Sequence, residues 1–436
     1  MEERKTGRGV RVKAGGRRKD KVSLSLDLPL EEQKRREEKR REEKKGWLAF
    51  PSARRWTIAE RMTNSIREDY ARKCEQYKCE PLRSVVQQID EAESKGVPLS
   101  ALKLKGVSKT KLNEKITTVK LRAITETFTS DLEHLDLSYN FVDDTSCQSL
   151  IALLESSSSL KELNLNGNDL CVHGSLLLAN ALSSQKQQPI LETLSLQGNP
   201  LGDEGGYAIS DAIRKNVNLR ELNLNDTGIG ISSLINVADA LTNENRTIEV
   251  IEIGNPKLTT LEGEHILYIA RMLACNPKIK NLNLKKHPLR DSSFTVLLEC
   301  GLLRNSTLER LCLSCCQLTS TSASNIEKLL VENKSIRDLD LSNNPLTDEV
   351  AFAIARGLRS SSLQSLNLKN CRISDYGLLE LANALLDGAT LSEFKLWGNS
   401  FGQKSGRTFT AIIDKGGLKC DFMTYTVDGS ILVAEC

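Results

Sequence analysis

This chain has only four histidines, His134, His173, His265 and His287, and none stands in an H-E-x-x-H or comparable metal-ligating arrangement. The stretches "GDEGGY" and "GQKSG" contain glycines but lack the spacing and the Lys-Ser/Thr ending of a phosphate-binding loop, and no serine sits in a G-x-S-x-G elbow. No catalytic residue, cofactor or metal is expected, and the chain reads as a non-enzyme. It also lacks any run of about 18 apolar residues, and its N-terminus carries charge where a secretion signal needs an apolar core. A soluble intracellular protein is expected, in cytoplasm and/or nucleus, with no membrane partner.

What is present is unevenly spread. The net charge of the 436 residues is +3, but residues 1 to 46 carry 17 Lys/Arg against 10 Asp/Glu, a local +7 that leaves −4 for the remainder. The 12 cysteines are read as reduced thiols, which in an intracellular protein behave mostly as small buried hydrophobes.

Self-similarity organises the chain. A nine-residue phrase returns ten times at spacings of 27 to 31, as "LEHLDLSYN" at 132, "LKELNLNGN" at 160, "LETLSLQGN" at 191, "LRELNLNDT" at 219 and "IEVIEIGNP" at 248, then "IKNLNLKKH" at 279, "LERLCLSCC" at 308, "IRDLDLSNN" at 336, "LQSLNLKNC" at 363 and "LSEFKLWGN" at 391. A weaker copy, "LSALKLKGV" at 99, opens the array. Apolar residues fill the first, fourth and sixth places, so the fourth and sixth point to one side of a short strand. Between phrases, Ile209 and Ile213, and Leu378, Leu379, Leu381, Leu385 and Leu386, recur at helical spacing. One strand-turn-helix unit cannot bury its apolar face alone, so the copies stack into a solenoid.

This pattern resembles the leucine-rich repeats of the ribonuclease-inhibitor type. The resemblance implies an α/β right-handed horseshoe, with a parallel β-sheet on the concave face and helices on the convex face. It also implies that the ninth residue, Asn or Cys, turns inward to hydrogen-bond the turn; here that place holds Asn140, Asn168, Asn199, Asn344, Asn399, Cys316 and Cys371. The Asn-x-Ser/Thr matches at Asn245, Asn305 and Asn333 fall just before strands, where a left-handed residue ending a helix is expected rather than a glycan. In "LERLCLSCC" the register sends Cys312 to the open groove, Cys315 to the strand end and Cys316 inward, so the three do not converge on a metal, and Cys312 is expected to be the more reactive thiol.

Four domains are expected: a basic arm at 1–46, disordered or a single helix; a helical cap region at 47–98; about ten to eleven repeats over 99–417; and a β-hairpin cap at 418–436. In the cap region "PLRSVVQQIDEAESKG" places Leu82, Val85, Val86 and Ile89 on one helical face with Gly96 closing it, and "FMTYTVDGSILVAEC" alternates around Asp428-Gly429, a hairpin signal. These terminal residues, with "LWGNSF", "HILYIARMLACNP" and "YARKCEQYKCEPL", resemble the leucine-rich repeat-containing protein 34 family from about residue 70 onward. That resemblance implies no enzymatic activity and a link to germ and stem cells and to the nucleolus. In the arm, "KRREEKRREEKK" reads as a solvated charged segment or, with Arg17-Arg18-Lys19, as a nuclear-import or nucleic-acid patch, and "SLSLDLPL" has the alternation of a strand that adds to a partner's sheet edge.

The function read from this is a protein-interaction scaffold, monomeric, with nucleic acid engaged only through the arm. The third, fifth and seventh places face the groove, which names Glu162, Asn164, Glu221, Asn223 and Glu252, then Asn281, Asn283, Lys285, Arg310, Asp338 and Asp340, and finally Glu393, Lys395 and Trp397. The C-terminal half is the expected partner surface, and Trp397 there is either its anchor or a residue packed under the terminal hairpin. The alternative is a small-GTPase regulator like the Ran GTPase-activating proteins, which share the repeat type but typically carry a long acidic tail, where this chain ends "VDGSILVAEC".

Overall fold

The computed structural model describes residues 65–106, 115–184, 191–259, 263–389 and 391–436. The expectations for the arm and for "SLSLDLPL" lie outside them. Among the described residues, two helices, α1 (Ile66–Gln76) and α2 (Arg83–Lys95), precede the first strand. Strands then alternate with helices: β1 (Ala101–Lys103), β2 (His134–Asp136), β3 (Glu162–Asn164), β4 (Thr193–Ser195), β5 (Glu221–Asn223), β6 (Val250–Glu252), β7 (Asn281–Asn283), β8 (Arg310–Cys312), β9 (Asp338–Asp340), β10 (Ser365–Asn367), β11 (Glu393–Lys395) and β12 (Lys419–Cys420). These twelve pair in chain order as one parallel sheet. Last come β13 (Phe422–Val427) and β14 (Ser430–Glu435), antiparallel around Asp428-Gly429.

The phrase explains the sheet. Its fourth-place residues stack from strand to strand, Leu163 opposite Leu194 and Leu222 opposite Ile251, and each is at most 1% exposed. The convex helices bury their own stripe, Ile209 and Ile213 in Gly202–Lys215, Leu378 and Leu381 in Asp375–Leu386. Leu379 and Leu385 are only half-buried and Leu386 is exposed.

Three sets of backbone bonds lock neighbouring units together. At the ninth place Asn344, fully buried, donates from Nδ2 to the carbonyls of Leu313 and Leu341 at 2.9 and 2.8 Å and accepts the Cys316 N–H at 2.8 Å. Cys316 and Cys371 do part of the same work, their thiols donating to the carbonyls of Leu284 and Leu341 at 3.1 and 3.4 Å.

The second set corrects the sequence reading. Asn305 and Asn333 are not left-handed but extended, at φ −98° and −83°, and Asn245 is not among the residues of positive φ. All three are buried, and they form an inward ladder. Asn333 donates to the Leu302 carbonyl at 2.8 Å and accepts the N–H groups of Ser335 and Ile336, both at 3.0 Å. An extended residue is needed because its carboxamide must reach back across the repeat while bridging the two N–H groups that follow it.

The third set is conformational. Wherever the phrase is described from 132 onward, its eighth place is left-handed, whether the residue is Tyr139, Asp226, Lys286, Cys315, Asn343 or Asn370, or one of Gly167, Gly198 and Gly398. This lets the chain turn off the strand so that the ninth side chain faces inward.

Candidate partner-binding surface

Alternation along each strand sends the third and fifth side chains to the side opposite the buried fourth. Glu162, Glu221, Lys285 and Arg310 are exposed there, and Asn164, Asn223, Glu252, Asn281, Asn283, Asp338, Asp340, Glu393, Lys395 and Trp397 are half-buried. The sheet register brings them into one file: Glu221 beside Val250 and that beside Asn281, then Arg310 beside Asp338.

Several of these side chains also have a structural task that the sequence reading missed. The fifth-place oxygen accepts the seventh-place N–H and so ends the strand. Asn164, Asn223, Asn283 and Asp340 do this with Asn166, Asn225, Lys285 and Ser342 at 2.8 to 3.0 Å. Cys312 stands at the same fifth place in its unit. Its thiol is pushed up to about 12, first by burial and then by Asp340, while the neighbouring Cys316 is fully buried and raised further. A groove position does not make a thiolate when the surroundings deny it hydration.

The charge is segregated. Across β2 to β6 the groove places hold Asp136, Glu162, Glu221 and Glu252 and no Lys or Arg. Partial burial, then the neighbouring carboxylates of Glu162, Glu252 and Glu249, raise the pKa of Glu221, with Arg310 opposing. Glu252 accepts from Asn225 Nδ2 at 2.5 Å. From β7 the signs mix. Burial raises Asp338, against a hydrogen bond from Ser365 and the charges of Arg310 and Lys395. Glu393 accepts from Ser365 at 3.1 Å and pairs with Lys395 at 3.4 Å.

Trp397 is half-buried, packed against the core on one side. Its backbone N–H is held by the Asp421 carboxylate at 3.2 Å, and Lys369 reaches the same carboxylate at 3.1 Å. Among the described residues, no group of three or more His, Cys, Asp or Glu is placed to hold a metal ion. Among them, too, no helix is long and apolar enough to cross a membrane.

The family described as "Leucine Rich repeat" matches residues 187–210, 332–355 and 359–382. The chain is 28% identical over 273 residues to the ribonuclease inhibitor of Mus musculus and 27% identical over the same length to that of Sus scrofa, covering 62% of this chain and 59% of each relative. It is 29% identical over 260 residues to human NACHT, LRR and PYD domains-containing protein 14, covering 59% of this chain and 23% of that one. The matched region thus spans less than two thirds of these relatives' own length. Repeats, parallel sheet and likeness agree: the chain is a leucine-rich-repeat α/β solenoid, similar in sequence to ribonuclease inhibitors.

Proposed function

We propose that this chain is a non-enzymatic scaffold that captures a protein partner along its concave sheet. The observation that carries this reading is the file of outward side chains on one rigid sheet, acidic from β2 to β6 and mixed thereafter, ending at the half-buried Trp397. A surface whose charge changes along its length selects a partner by electrostatic complementarity, and a tryptophan at its end supplies apolar contact. The relatives named ribonuclease inhibitor bind, by that name, a protein enzyme, which supports a protein partner here. The finer parts of the reading rest on the sequence: membership of the leucine-rich repeat-containing protein 34 family and a nucleolar or germ- and stem-cell setting on resemblance, the division at 46, 98 and 417 on charge, repeat and cap patterns, and a monomeric state. The C-terminal half of the groove is the proposed anchor site.

Proximity labelling with the full-length protein identifies the partner, and Trp397→Ala then tests the anchor. Binding should weaken by about 2 kcal/mol while the variant still folds. A variant that folds and holds every partner as tightly as the wild type sinks the anchor.

A further inference from the structure

Cys74 and Cys79 stand outside the repeat. Helix α1 ends in a turn in which the Cys79 N–H donates to the Cys74 carbonyl at 2.9 Å and the Lys78 N–H donates to the Glu75 carbonyl at 3.1 Å, with Lys78 left-handed at φ 52°. This is the Schellman ending, which brings the first and last side chains of the motif together, ordinarily as an apolar contact. Here both are thiols near enough to act on one another's protonation, with the Tyr70 hydroxyl as a further neighbour of Cys74. The 2.9 Å backbone hydrogen bond between the two residues keeps their Cα atoms within the separation of about 7 Å beyond which a bridge fails. Their exposure differs: Cys74 is 1% exposed, whereas Cys79 is half-buried and open to a small reagent.

The geometry points to Cys74 and Cys79 as a reversible dithiol-disulfide site that takes a low-molecular-weight disulfide, such as oxidised glutathione, as its oxidant. Cys79 loses its proton to solvent and attacks one sulfur of the glutathione disulfide. That S–S bond breaks, and the first glutathione leaves as thiolate and takes up a proton. Cys74 then loses its proton and attacks the Cys79 sulfur, expelling the second glutathione. Two protein thiols are oxidised and one glutathione disulfide is reduced to two thiols. Burial pushes Cys74 up to about 11, although the Tyr70 hydroxyl pulls it the other way, which makes Cys74 the resolving and Cys79 the attacking thiol.

The site is wired to the start of the array. The Tyr70 hydroxyl accepts the Leu82 N–H at 3.1 Å, at the head of α2, and its ring lies 6.2 Å from that of Phe128, which follows the helix Thr118–Thr127. Closing the bridge removes the Cys74 thiol from Tyr70 and ties the end of α1 covalently to the turn leading to α2.

The test equilibrates the full-length protein across a series of reduced and oxidised glutathione, quenches with acid, alkylates, and reads peptide masses. The peptide holding Cys74 and Cys79 should lose two hydrogens and gain no alkyl group, at a poise where the exposed Cys171, Cys275 and Cys436 carry glutathione or stay alkylated. In Cys79→Ser, Cys74 should stay reduced; in Cys74→Ser, Cys79 should stop at the glutathione adduct. Persistent alkylation of both thiols in the wild type, a stable adduct on Cys79 there, or bridges to other cysteines would each overturn the assignment. The wild-type titration decides even if a variant fails to fold.

Discussion

At the ninth place of the repeat one carboxamide satisfies backbone groups of two adjacent units, and Asn344 shows what its loss costs. Asn344→Ala takes the side-chain partner from the buried Leu313 carbonyl and from the N–H groups of Cys316 and Leu318, and leaves the Leu341 carbonyl with only the Cys371 thiol. The expected destabilisation is about 3 kcal/mol or more, read by urea melts. Asn344→Cys should cost clearly less, because Cys316 and Cys371 already fill this place with donating thiols. Equal losses in the two variants would contradict the role. His287 fills the same place in another way. It is fully buried, its Nε2 is 2.7 Å from the Ile253 carbonyl, and its Nδ1 is 3.3 Å from His265 Nε2. The unit before it has Pro256 at the ninth place, which has no N–H for an asparagine to accept; the buried His265 takes that part, its own Nδ1 without a partner among the described residues. Burial pulls His265 from 6.5 down to about 4 and His287 to about 3, the latter against the Ile253 carbonyl. Unfolding restores the ordinary value, so below 6.5 the unfolded chain binds more protons and stability is lost as the pH falls toward 4. The slope is at most about 1.4 kcal/mol per pH unit for each histidine. His287→Asn should flatten the dependence of stability on pH over that window, and an unchanged slope would show that the pair does not titrate on unfolding.

Among the elements, the C-terminal end shows how a parallel sheet is closed. Inner strands receive the next strand's carbonyl, as the Leu368 N–H does from Lys395 at 2.8 Å. After β12 the chain leaves the sheet, and the Asp421 carboxylate substitutes, accepting the Leu396 N–H at 2.8 Å. Phe422 then turns into a cluster with Phe401 and Phe409, centroids at 4.8 and 5.4 Å. Phe422→Ala should destabilise by about 3 to 5 kcal/mol, with proteolysis appearing first near residues 400–436. A normal melting curve would mean that the hairpin does not cover the core. The strands from β2 to β11 were legible because burial at the first, fourth and sixth places admits only apolar residues. The fifth, eighth and pre-strand places were not, because their roles are backbone satisfaction and handedness, which several residue types fulfil. Asn and Asp both end a strand at the fifth place, and Tyr139, Lys286 and Cys315 stand at the eighth where Gly198 does in another unit. The same many-to-one relation made Asn305 and Asn333 read as left-handed.

At the scale of the whole array, each unit is held to the next by repeated clamps, so the groove is a fixed template. Aspartates that open convex helices accept backbone N–H groups of the following unit: Asp203 from Gly230 at 2.8 Å, Asp291 from Thr319 at 2.9 Å, Asp348 from Ser374 at 2.7 Å and Asp375 from Gly402 at 2.9 Å. Groove side chains carried on such a frame lose little freedom on binding, which favours a partner that matches their order of charge. A charge swap that leaves the net charge unchanged tests this most directly. Glu221→Lys with Arg310→Glu reverses two exposed groove charges, and Glu204→Lys with Lys215→Glu does the same on the convex helix Gly202–Lys215. The decisive measurement is the affinity of each double variant, in the full-length protein, for the partner recovered by proximity labelling. The groove swap should weaken binding at least about tenfold, about 1.4 kcal/mol, while the convex swap binds as the wild type does. Retained affinity in the groove swap with loss in the convex swap would contradict a concave binding surface.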